Sequence, residues 1–300
     1  MHEPLPSAAP PIVDIRRVTR QFGTKTALDD LSLTVPRGGV FGLIGGNGAG
    51  KTTVIKHILG LLKAQTGTVR VFGLDPVANP VGTLGRIGYL SENRDLPDWM
   101  CICELMRYTQ AFFPNWDEAY AEELRQAFDL DANARIKTLS RGQRARAGLL
   151  VALAHRPELL LLDEPSSGLD PVVRRDILGA IIRTIADEGR TVLFSSHLLD
   201  EVERVADRVA IIHQGRILLT ASMDEIKDTH RRMTLRFGQP LDLPPSLVGT
   251  LSFEGQGSEW TYICSGESSQ LRRAAEAIGA TVVDDAALSL DEIFVSRVLN

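Results

Sequence analysis

The chain has no long apolar run. Crossing a bilayer as a helix takes about 18 consecutive apolar residues, and the longest candidate, around residues 148–154, breaks at His155-Arg156-Pro157. The protein is therefore not expected to form a membrane pore itself. Its N-terminus, MHEPLPSAAPP, lacks the basic start and apolar stretch of a secretion signal, so residues 1–11 read as a short flexible tail and the protein as cytosolic. Cysteine is scarce: Cys101, Cys103 and Cys264 are too few and too ill-spaced for a zinc site or a disulfide framework. They read as small apolar fillers in a reducing compartment, with a redox pair of Cys101 and Cys103 as the alternative. Excess positive charge is missing too, and the net charge of -5 argues against a broad nucleic-acid-binding face.

What is present is an ordinary globular composition, 44% hydrophobic over 300 residues, long enough for two domains at about 150 residues each. Residues 40–44, VFGLI, are short, apolar and β-prone, which predicts a buried strand of a parallel sheet. The run Gly45, Gly46, Asn47, Gly48, Ala49, Gly50 then turns the chain with few side chains in the way, so successive N–H groups can point at one anion. A helix is expected from Thr53 to Leu59, its positive end facing the same spot. Lys51 is placed to reach outer phosphates, and the Thr52 hydroxyl to ligate Mg²⁺. A glycine-rich turn with a solvated lysine is the bland alternative, disfavoured because every required position and both flanks match.

Farther on, Leu159-Leu160-Leu161-Leu162-Asp163-Glu164 predicts a strand buried on both faces with two acids at its carboxyl end, where open α/β sheets bind ligands. Asp163 suits Mg²⁺, and Glu164 suits orienting or deprotonating a water that attacks a γ-phosphate. Between the two segments, LSRGQ at residues 139–143 puts a serine at the start of a helix, a place that exposes a hydroxyl and free N–H groups to an anion.

These ordered motifs resemble the ATP-binding subunit of ATP-binding cassette (ABC) transporters over about residues 12–220. The resemblance implies an α/β fold of the P-loop NTPase ABC cassette type: a mixed sheet core, an antiparallel β layer and a helical subdomain at about 93–140. It implies two subunits facing head to tail, with Ser140, Gly142 and Gln143 of one chain reaching the ATP held by the other. Arg141 departs from the family's usual glycine, and either adds a charge near the phosphates or points to solvent; Arg141, Arg144 and Arg146 together read as a solvated helix face. Phe22 stands where the family places an aromatic that stacks on adenine. His197 matches the family's switch histidine, and Asp170 its dimer-seam loop, although an aspartate before Pro171 is also an ordinary helix start. Glu92 occupies the position of a Mg²⁺-ligating glutamine; the glutamate resembles the branch that exports drugs, antibiotics and lipids.

Expected organisation follows from texture. Residues 12–18 and 31–35 alternate as strands of the antiparallel layer. Residues 104–113 and 117–128 carry helical spacing, broken by Pro114. In the family such an insert grips the membrane partner, which makes Trp99, Met100 and Phe112 contact candidates, although core placement is the commoner fate of such residues. Residues 221–300 carry the net negative charge and read as a small α/β domain, with strands at 233–237, 251–253, 260–264 and 281–283 and helices at 269–278 and 290–299. Its role is left between dimer contact and regulation. The closing SLDEIFVSRVL resembles the end of drug and lipid exporter subunits. The implied machine is a homodimer, or a pair with a second ABC subunit, peripheral to the cytoplasmic face of the membrane, using ATP and Mg²⁺ with separate transmembrane permease subunits. A soluble ABC ATPase with a non-transport partner is the alternative, disfavoured by the lack of long coiled coils or a second cassette.

Overall fold

The computed structural model describes residues 10–298, so most of the expected N-terminal tail, residues 1–9, lies outside the described residues, as does the end of the last expected helix. In chain order the elements are β1 (Val13–Phe22), β2 (Lys25–Val35), β3 (Gly39–Ile44), α1 (Lys51–Ile58), β4 (Thr66–Val71), α2 (Pro80–Leu84), β5 (Ile87–Leu90), α3 (Ile102–Gln110) and α4 (Glu118–Ala127). There follow α5 (Arg141–Leu153), β6 (Leu159–Asp163), α6 (Pro171–Glu188), β7 (Thr191–Ser196), α7 (Leu199–Val205), β8 (Arg208–His213) and β9 (Arg216–Ser222). The remainder is α8 (Met223–Thr229), β10 (His230–Leu241), β11 (Thr250–Ser265), α9 (Ser268–Ala277), β12 (Ala280–Ala287) and α10 (Leu290–Val298).

Backbone proximity divides the chain into two units, one reaching Leu198 and including Ala210–Leu219, the other made of Leu199–Val209 and the chain from Thr220 onward. A six-stranded sheet has the order β5-β6-β7-β3-β8-β9, with β5, β6, β7 and β3 all parallel. Every residue of β6 and β7 is buried, as expected for strands covered on both faces. Beside it, β2, β1 and β4 form an antiparallel sheet. Helix α1 sends Val54, Ile55 and Ile58 into a core shared with Ile15 of β1, Phe41 of β3 and Leu161 of β6. Each such fully buried side chain stabilises the fold by roughly 1.5–3 kcal/mol, and that packing fixes the N-terminus of α1 relative to the ends of β3 and β6.

The second unit holds an antiparallel sheet in the order β11-β10-β12, with α9 burying Leu271 and Ala275 against Met233, Leu235, Trp260 and Tyr262. Residues 251–253 and 260–264 are not two strands but one, β11, which runs through Gly255 and Gly257. Those glycines and their polar neighbours hide the strand from a pattern of apolar alternation. The opening strands are longer than their apolar stretches because the mostly polar residues 19–22 and 25–30 complete a hairpin. Helix α1 begins at Lys51, two residues earlier than its apolar run. Cys264 is buried, whereas Cys101 and Cys103 are only half-buried, with their sulfurs 3.0 Å apart at the start of α3.

Candidate active site

Three neighbouring parallel strands, β6, β7 and β3, end side by side, and their carboxyl ends deliver the chemistry. The β3–α1 loop turns tightly at Gly50, whose φ of 117° and closeness to the Ala27 carbonyl leave no room for a side chain. No side chain caps α1 and no acid lies in its first turn, so its N–H groups remain available to an anion. Phe22, Lys25, Asn47, Gly48, Ala49, Gly50, Lys51, Thr52, Thr53, Glu92 and Glu164 line one cavity of about 240 Å³. Gly45 and Gly46 lie beneath it, their carbonyls accepting from Lys51 Nζ at 2.6 and 3.2 Å.

The third partner of Lys51 is Glu164, whose Oε1 lies 2.9 Å from Nζ in an ion pair only 6–7% exposed. The other oxygen, Oε2, accepts from His197 Nδ1 at 2.7 Å, which places the proton on Nδ1 and leaves Nε2 free in the neutral ring. Glu164 itself adopts a left-handed backbone, φ 47°, a costly conformation for a residue with a Cβ. Ser195 holds it there: its hydroxyl accepts from the Glu164 N–H at 2.9 Å and donates to Asp163 Oδ1 at 2.7 Å. Ser195 orders both acids, and only its place in a Ser-Ser-His run at a strand end offered a signal.

A second cavity, about 420 Å³, brings Thr52, Glu92 and Asp163 together with Tyr89. Burial, and then the negative charges of Asp163, Asp95 and Glu92, push the Tyr89 phenol up to about 12. The field there is negative and suits a cation. Two residues after Glu92, Arg94 is buried, with a left-handed φ of 54°. It donates to the carbonyls of Pro165 at 3.1 Å and Ser167 at 2.8 Å, tying the loop bearing Glu92 to the turn following Glu164. Sequence reading passed over Arg94 because nothing local distinguishes it from a solvated arginine.

Ser140, Gly142 and Gln143 line neither cavity, so a single chain does not bring them to the P-loop. Ser140 and Gln143 cap α5 reciprocally, Ser140 Oγ accepting from the Gln143 N–H and Gln143 Oε1 from the Ser140 N–H. Gly142 sits against Val173, which is 2.7 Å from where a Cβ would stand. Asp170 is a helix cap, accepting from the N–H groups of Val172 and Val173. Arg141 is exposed, with its guanidinium beside Gly168. Its neighbours are partly exposed and ion-paired, Arg144 with Asp98 at 2.7 Å and Arg146 with Asp176. Of the contact candidates, Trp99 and Phe112 are exposed, 70% and 63%, rather than core, while Met100 is half-buried.

Among known families, that described as ABC transporter matches residues 28–167. The chain is 38% identical over 231 residues to the daunorubicin/doxorubicin resistance ATP-binding protein DrrA of Streptomyces peucetius, covering 75% of this chain and 69% of that protein. Over 286 residues it is 25% identical to the ABC transporter ATP-binding protein YtrB of Bacillus subtilis, which spans 95% of this chain and 98% of YtrB. The solved structure of an ATP-binding subunit of an ABC transporter superposes with a TM-score of 0.66 at 28% identity, covering 72% of this chain and 92% of that one.

Proposed function

The chain belongs to the ABC transporter family, and we propose that its Lys51–Glu164–His197 cluster is the hydrolytic centre through which it works. It is an ATPase subunit that binds ATP and hydrolyses it to power transport through separate membrane-spanning subunits. The carrying observation is the Glu164 carboxylate, fixed between Lys51 and His197 at the mouth of the P-loop cavity.

ATP enters with its phosphates on the N–H groups of residues 45–53 and its base on Phe22. The γ-phosphate takes the place of Glu164 as the counter-ion of Lys51. Glu164, still held by His197, then orients a water and accepts its proton as the water oxygen bonds to the γ-phosphorus and the bond to the bridging oxygen breaks, leaving ADP and phosphate. Ser195 keeps Asp163 and Glu164 in register throughout. Thr52, Asp163 and Glu92 form an all-oxygen donor set that suits Mg²⁺; when bound, the ion neutralises charge on the phosphate oxygens. Two carboxylates and a hydroxyl are too few to enclose it without phosphate and water, which matches the usual habit of Mg²⁺.

Residues 12–220 act as the ATP-binding domain and 221–300 as an accessory one. Ser140, Gly142 and Gln143 serve a second copy or a second ABC subunit, with Asp170 at the seam between them; their absence from the chain's own cavities supports that reading. No helix among the described residues is long and apolar enough to cross a membrane, and the protein works at the cytoplasmic face bound to its permease subunits. Glu92 and the resemblance to DrrA support export of a drug-like, antibiotic or lipid substrate. The test is phosphate release by the purified chain, alone and with membrane subunits co-expressed from a neighbouring reading frame. Release stimulated by the membrane subunits is expected; no release under either condition overturns the reading.

A further inference from the structure

Phe22 ends β1 at the lip of the P-loop cavity with 46% of its surface exposed. An aromatic ring that exposed has little packing to fix its orientation, and a freely turning ring is a poor stacking platform, since each encounter must first order it. Arg20, two residues earlier and so on the same side of the strand, supplies what packing does not. Its guanidinium carbon lies 4.7 Å from the centroid of the Phe22 ring. Phe22 lines the cavity and Arg20 does not, so the cation meets the ring from outside the space a ligand would fill.

The guanidinium is itself anchored. Nη1 donates to the Lys63 carbonyl at 3.2 Å, and Nε is buried without a hydrogen-bond partner, so the planar group is held rather than waving in solvent. The same strand end is tied down one residue later, where the Gln21 N–H donates to Gln65 Oε1 at 2.6 Å. The tip of β1 is thus fastened to the connection between α1 and β4, and α1 carries the P-loop lysine.

We propose that Arg20 is a positioning residue for the nucleotide base: anchored on Lys63, its guanidinium fixes the Phe22 ring so that the cavity-side face meets a purine. This rests on the reading that Phe22 receives the base. A cation against one face draws π density toward itself, which favours an electron-rich purine on the opposite face. The stack therefore runs guanidinium, phenyl, purine. None of this reaches the triphosphate, which is held by backbone N–H groups and Lys51.

That separation defines the experiment. Equilibrium binding of ATP and of inorganic tripolyphosphate, both with Mg²⁺, is measured on the full chain and on Arg20→Met, Arg20→Lys, Phe22→Ala and the Arg20→Met/Phe22→Ala double variant. Circular dichroism establishes that each variant is folded. Arg20→Met is expected to weaken ATP binding about two- to fivefold, the size of an exposed cation–π contact, and to leave tripolyphosphate binding unchanged. Arg20→Lys, which keeps the cation, should recover part of the loss, and the double variant should bind ATP as Phe22→Ala does. Parental ATP affinity in Arg20→Met alongside weakened binding in Phe22→Ala overturns the role of Arg20, as does equal weakening of both ligands. Parental ATP affinity in Phe22→Ala overturns instead the underlying assignment of the ring to the base.

Discussion

Replacing Glu164 by glutamine removes one charge from the most buried ion pair of the site and changes little else in shape. In the nucleotide-free chain that carboxylate balances Lys51, both side chains being 6–7% exposed. The carbonyls of Gly45 and Gly46 still accept from the Lys51 ammonium, so the loss is that of one buried ion pair rather than of every partner. That costs about 1–3 kcal/mol, or roughly 2–4 °C of melting temperature per kcal/mol in a domain of this size. Saturating ATP should return most of the difference, because the γ-phosphate supplies Lys51 with a new counter-ion and no longer has to displace a carboxylate. Turnover behaves oppositely: without a base to orient and deprotonate water, phosphate release should fall by about 10²–10⁴, with ATP binding retained and an ATP-locked dimer accumulating on a sizing column. Thermal unfolding with and without ATP, beside a phosphate-release assay, reads all of these quantities. A variant that releases phosphate at the parental rate would falsify the assignment of the base. A variant stabilised less by ATP than the parent would refute the exchange of counter-ions.

Lys51→Ala should abolish measurable ATP binding, since it removes the cation under the phosphates and leaves Glu164 buried and repelling them; unchanged affinity in a direct binding assay contradicts the phosphate cradle. Acid should destabilise the chain through His155, which stacks on Phe113 at 3.8 Å and whose Nε2 faces the Ile87 carbonyl. Burial pushes this imidazole down to about 4 from its ordinary 6.5, so between those values the unfolded chain binds a proton that the folded chain refuses. Stability is therefore whole above about pH 6.5 and falls as pH drops through the window to about 4, by about 3 kcal/mol in all; His155→Gln should lose less over that range in denaturant titrations, and equal losses reject the argument. Arg94→Met strips the Pro165 and Ser167 carbonyls of their donor and should cost about 1–3 kcal/mol while lowering kcat more than it raises KM for ATP. A KM effect alone would place Arg94 in binding rather than in holding the turn beside Glu164.

How much of this was legible in the sequence depended on whether the geometry was local. Glu164 and His197 each follow directly on a strand of the central sheet, and Lys51 opens the helix after the loop that leaves β3, so three short runs were enough to name them; the parallel order β6-β7-β3 then sets Glu164 against both of the others. Ser140 and Asp170 were legible in the same way, and the structure finds both capping the helices they open. Ser195, Arg94 and Arg20 were not. Each acts on groups 2 to 73 residues away through one or two polar or ring contacts, and no periodicity marks a residue for such a partner. The partners of Arg144 and Arg146 were hidden for the same reason, because Asp98 and Asp176 come from other parts of the chain. Strand β11 was hidden by glycines that a paired strand tolerates and an apolar pattern does not. Helical or strand spacing reports what a segment buries, whereas a polar side chain's role is set by whatever the fold places opposite it. The left-handed conformations of Arg94 and Glu164 illustrate the difference. Neither residue type asks for that backbone, and each is held there by bonds from elsewhere: Ser195 on the Glu164 N–H, and the Pro165 and Ser167 carbonyls on the Arg94 guanidinium. The strain falls on the two loops that carry Glu92 and Glu164, so a nucleotide that repositions either carboxylate has a constrained backbone to release.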